Sequence, residues 1–89
     1  MEFSKELYIG KSISDISSAV YMLKNGIEAS GIFCICKKNN DGRFMYEIMS
    51  SGELLKERNK NKYTVYGIAA GKHESFELLR YMLEDRHEF

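Results

Sequence analysis

Four groups of residues have types and spacings that could do chemistry. The first is Gly67-x-x-x-Gly71-Lys72-His73, in which two glycines and a lysine lead from a β-prone stretch into a helix-prone one. A phosphate-binding loop needs G-x-x-x-x-G-K-[ST], so that backbone amides wrap the phosphates and the hydroxyl holds magnesium. Here the spacing is one residue short and His73 stands where the hydroxyl belongs. The expectation is therefore a strand-to-helix turn at Gly71, with Glu74 and Glu77 complementing the positive end of the helix. What the turn retains is a candidate anion site at Gly71, Lys72 and His73.

The second group is Cys34-x-Cys36. With His73 or His87 it offers thiolate and imidazole ligands, but the spacing is too tight for a zinc loop and no second pair exists. The expectation is two reduced thiols, buried or half-buried and packing as small apolar groups, and no metal or cofactor. The third is His73 with Glu77, one helical turn apart. That is an ordinary surface pair, and no catalytic residues are assigned. The fourth is basic: Lys37, Lys38 and Arg43 flank a hairpin tip, and Lys56, Arg58, Lys60 and Lys62 line the connector after it. Such a cluster could steer and hold phosphates.

Composition limits these readings. The chain has 89 residues with a formal net charge of zero, 44% hydrophobic and 29% charged. That fits one globular α+β domain over residues 1–89, near the size where a core yields only a few kcal/mol. Residues 31–62 hold seven basic against four acidic side chains, so positive charge is local rather than global. No apolar run reaches the roughly 20 residues of a membrane span, and the start lacks the order of a signal peptide. A cytoplasmic location is expected, and the Lys-, Asn- and Ile-rich composition suggests a low-GC bacterium.

The elements that must position these groups follow from periodicity. "KELYIGKSI" alternates as a strand. "SISDISSAVYMLKNG" spaces Ile16, Ala19, Val20, Leu23 and Ile27 as a helix, with Ser12 and Ser14 as candidate N-caps and Gly26 as the left-handed terminator. In "GIFCICKKNNDGRFMYEIMSS" an Asp41-Gly42 turn predicts a tight hairpin. That turn would set Phe33, Ile35 and Lys37 on one face with Phe44, Tyr46 and Ile48. "KYTVYGIAA" is a further strand, and the last helix carries Phe76, Leu79, Met82 and Leu83, widened by Leu78, as its apolar stripe. Leu54 and Leu55 fit either a helical turn or an extension of the preceding strand.

The order β-α-β-β-β-α predicts a two-layer sandwich: a mostly antiparallel four-stranded sheet with both helices on one face. From residue 14 to 86 this order resembles a double-stranded-RNA-binding domain, which implies a nucleic-acid-binding module. The final helix departs from that family's lysine cluster, since "GKHESFELL" has one lysine. If the helices share the aromatic face, Ile32, Cys34, Cys36, Met45, Met49, Tyr66 and Ile68 are left on an apolar opposite face. Such a face is expected to associate, with a second copy as the first partner, through it or through an edge strand. Its rival is coverage by the connector with Leu54 and Leu55. A further protein partner, nucleic acid at the basic cluster, and a small enzyme or anion-binding protein at the glycine turn are the alternatives.

Overall fold

The computed structural model describes residues 1–40, 42 and 45–86, with the side chain of residue 86 left aside. The elements are β1 (Glu2–Ile9), α1 (Ile16–Lys24), β2 (Ile32–Lys38), β3 (Glu47–Ser50), α2 (Ser51–Leu54), β4 (Tyr63–Ala70) and α3 (Lys72–Arg86). The four strands form one sheet in the order β1-β4-β2-β3. Two pairings are antiparallel, β2 with β3 and β2 with β4, while β1 runs parallel to β4. The α+β class and the mostly antiparallel sheet are thus as expected. No helix among the described residues is long and apolar enough to cross a membrane.

Local signals account for the element ends. Asp15, rather than Ser12 or Ser14, caps α1 by accepting the Ser18 amide at 2.9 Å. Gly26 then takes φ +72° after the Asn25 C-cap, where glycine carries no steric penalty. The ambiguous connector resolves as a short helix: Ser50 Oγ accepts the Glu53 amide at 3.1 Å and starts α2. Buried Ser51 ties this helix to the loop before β2, its Oγ donating to Ala29 O at 2.7 Å and accepting from Ala29 N at 3.1 Å.

The hairpin register is the one an Asp41-Gly42 turn requires. Ile35 faces Ile48 and Cys36 faces Glu47, so Ile35, Lys37, Tyr46 and Ile48 share a face. Asp41, Arg43 and Phe44 lie outside the described residues.

The helices are distributed differently from the expectation. Ala19 and Leu23 of α1 and Leu54 of α2 pack with Cys34, Cys36, Val65 and Ile68 on one side of the sheet. Leu78 and Met82 of α3 pack with Ile35 and Ala69 on the other. The sheet is covered on both faces rather than one. The cause is β4, which lies between β1 and β2 and is apolar on both sides, so each face demands a helix.

A bulge completes the arrangement. The β2–β4 register passes from Ile35↔Gly67 to Cys36↔Val65, leaving Tyr66 as an extra residue. Val65 and Ile68 consequently face α1, although they lie an odd three positions apart, while Tyr66 faces α3. Gly67 lies beneath α3, where a Cβ would sit 3.0 Å from Met82 Sδ and 3.3 Å from Leu78 Cδ2. The α3 stripe is also rotated from its expected position. Ser75, Leu78 and Met82 are buried, while Phe76 is 54% exposed.

Candidate functional site

The glycine turn is built around Glu74. Gly71 takes φ +93°, a left-handed conformation that favours glycine. Its amide donates to Gly31 O at 2.8 Å, and its carbonyl accepts the Ser75 amide at 3.1 Å to begin α3. Glu74, in the first turn, folds back over the turn. Oε1 accepts the Ala70 amide at 2.8 Å and Oε2 accepts the Ser12 amide at 3.0 Å. One carboxylate therefore joins the β1–α1 connection to the β4–α3 connection. Gly10 permits this approach, because a Cβ there would overlap the Glu74 carboxylate. Hydrogen bonds from Ser12 first, and then from the Ala70 amide, hold the Glu74 carboxyl below its ordinary range.

This geometry changes the meaning of Gly71, Lys72 and His73. Negative charge at the start of α3 is supplied by the chain itself, which weakens the field for an incoming anion. Lys72 and His73 point to solvent, and His73 Nε2 lies 3.7 Å from Glu77 Oε2.

Beside Glu74 the end of β1 and α3 enclose a groove of about 500 Å³, lined by Tyr8, Ile9, Gly10, Lys11, Glu74, Glu77, Leu78 and Tyr81. Tyr8 meets Tyr81 edge to face at 6.1 Å and donates its hydroxyl to Asp85 Oδ2 at 2.6 Å. The sequence alone did not reveal this groove, since its walls come from strands and helices far apart in the chain.

The seven residues of the expected association face do not stay together. Cys34, Cys36 and Ile68 are fully buried beneath α1 and α2, with Ile32 and Met49 packed against them. Tyr66 is on the opposite face, and Met45 is exposed in the segment before β3. The apolar excess that suggested a partner is satisfied by the chain's own helices, including Leu54 of the connector.

The basic residues divide in a similar way. Lys37 lies over the rings of Tyr46 and Tyr66, with Nζ at 4.5 and 5.2 Å from their centroids. Lys56 and Arg58 pair with Glu53 at 3.1 and 2.7 Å, and these contacts, Arg58 first, pull the Glu53 carboxyl down to about 2. Lys38 and Lys62 do come together. They line a polar recess of about 620 Å³ with Glu2, Asn39, Asn40 and Asn61, closed by the Asn39 amide donating to Lys62 O. Lys60 is exposed, and Arg43 lies outside the described residues. Among the described basic residues, Lys37, Lys56 and Arg58 thus have local partners.

The cysteines are chemically quiet. Burial pushes the Cys34 thiol up to about 12, and burial followed by the charges of Cys34 and Glu47 raises that of Cys36. At pH 8 a thiol with that pKa is ionised to roughly one part in ten thousand. Iodoacetamide labelling of native protein at pH 8 should be at least about a hundredfold slower than in denaturant. Free-thiol rates with native circular dichroism would refute the buried placement.

Comparison with known protein families, with curated proteins and with solved structures finds no match.

Proposed function

We propose that this chain acts through non-catalytic association, forming a homodimer through the outer face of α3 in a cytoplasmic, bacterial setting. The observation that carries the reading is the self-complementary order of exposed residues along that helix. His73, Glu77, Arg80 and Glu84 recur at helical spacing and are all exposed, and Phe76 stands beside them with over half its surface in water.

A two-fold axis between residues 78 and 79 sets a second α3 antiparallel to the first. Glu77 then meets Arg80 of the second copy, and His73 meets its Glu84. On the flank, Phe76 reaches the half-buried Leu83 of the other copy. Parallel pairing would instead stack like against like. The edge strands are poorer routes. β3 has four residues, and β1 is interrupted by a register shift between Phe3 and Tyr8 with Lys5 and Glu6 exposed within it. Short or bulged charged edges resist strand addition.

One helix pair buries little, and interfaces below about 1,200 Å² are weak. Sedimentation equilibrium from about 10 to about 500 µM should therefore show a concentration-dependent dimer. Glu77→Arg and Arg80→Glu should each weaken it about tenfold, through lost attraction and new repulsion counted twice by symmetry. The double exchange should restore most of the affinity. A monomer throughout the range, or a double variant no tighter than either single one, would overturn the reading.

A nucleic-acid reading keeps one observation in its favour, the convergence of Lys38 and Lys62 in one recess. Salt-sensitive retention of mixed RNA or DNA, reduced by Lys60→Glu or Lys62→Glu, is its test.

A further inference from the structure

The groove beside Glu74 combines an apolar interior with an acidic rim. Ile9, Gly10, Leu78 and the rings of Tyr8 and Tyr81 form its floor and walls. Glu74 and Glu77 line it, and Asp85 extends the rim through the Tyr8 hydroxyl. Lys11 is the one cation among the lining residues. Residues 74, 78, 81 and 85 recur every three or four positions, and 77 lies three or four from 74 and 81, so they form a row along one side of α3. At about 1.5 Å per residue, Glu74 and Glu77 are about 4–5 Å apart along the axis, and Asp85 lies about 12 Å beyond Glu77.

We propose that this groove binds a linear aliphatic polyamine. Its ammonium groups sit at the spaced carboxylates, and its methylene segments lie against Ile9, Leu78 and the two tyrosine rings, whose faces also attract cations. The spread of the carboxylates decides the class of cation. A divalent metal needs several oxygens converging on one point. Here the carboxylates are strung along the helix, and each oxygen of Glu74 already accepts a backbone amide. An elongated cation with separated charges matches a row, whereas a compact one does not. A peptide would bring backbone amides that the apolar walls leave unpaired.

The inference goes beyond the dimer reading and shares Glu77 with it, but a variant outside the groove separates the two. Arg80→Glu breaks the proposed dimer and lies outside the groove lining, so binding is measured on that variant as well as on the parent chain. The probe is spermidine, followed by ¹H–¹⁵N NMR at physiological ionic strength. Saturable shifts confined to residues 8–12 and 74–85 are expected in both proteins. Tyr81→Ala, at an exposed position, should weaken binding about three- to fivefold through loss of the ring. Lys11→Ala should tighten it about twofold by removing a like charge. Magnesium at matched ionic strength should leave these resonances unmoved. The proposal is overturned by non-saturating shifts, by equal shifts with magnesium, by unchanged affinity in Tyr81→Ala, or by a lysine-rich peptide that binds there more tightly than spermidine.

Discussion

Ile35→Ala should destabilise the domain by about 2–5 kcal/mol, read as a large fall in the urea midpoint or as failure to fold. Ile35 is fully buried and central in the sheet, with Leu78, Met82 and Ala69 around it. Its Cδ1 also lies under Gly67, 3.5 Å from where a Cβ would project. That glycine offers no side chain to collapse into the space, so the cavity would stay open. Total stability for a chain of this size is about 5–10 kcal/mol, which makes the loss a large share of the whole. Ile35→Val, which keeps most of the volume, should cost only about 0.5–1.5 kcal/mol. If the alanine variant unfolded within about 0.5 kcal/mol of the parent, the packing of α3 on this face would be wrong.

Glu74→Gln tests the junction between the two connections. The carboxylate accepts one amide with each oxygen, and glutamine can replace only one of these acceptors. Hydrogen bonds to a charged group contribute more than neutral ones, so a loss of about 1–3 kcal/mol at pH 7 is expected. The sign of the pH dependence follows from the depressed carboxyl. Glu74 has its full stabilising effect above the ordinary value of 4.5, and that effect is lost as pH falls through the lower folded value. The difference between parent and Glu74→Gln should thus be present at neutral pH and shrink in acid. Urea titrations at both ends measure it. A pH-independent difference would show that shape, not charge, joins the two loops. Because Glu53 titrates in both proteins, comparing the two isolates Glu74.

Both predictions act on α3 from beneath, and the proposed association acts on it from outside. Ile35, Leu78 and Met82 fix which side of the helix faces the sheet. That rotation puts Phe76 and Arg80 outward, turns Tyr81 toward the groove and leaves Glu77 at the border between the two. A change in the core that rotated α3 would alter both surfaces together.

Features carried by neighbouring residues were legible in the chain itself. The Asp-Gly pair predicted the Ile35–Ile48 register that the strands adopt, because turn geometry dictates which residues oppose each other. Gly26 and Gly71 marked the end of α1 and the start of α3, since left-handed backbone there excludes most other residues. The spacing at Gly67 and Gly71, one residue short, spoke for a strand-to-helix turn over a nucleotide loop.

Strand order, the bulge and the sharing of apolar surface between two faces were settled only by folding. Period-two alternation puts Tyr66 and Ile68 together, and one extra residue in the ladder sends them to opposite sides. Apolar residues mark what must be buried but not which helix covers them. Five of the seven residues of the supposed association face therefore joined the core beneath α1, and the stripe read as core on α3 left Phe76 outside. The Glu74 bridge and the Tyr8–Tyr81 groove join residues more than 60 positions apart, and that proximity exists only once β1 pairs with β4.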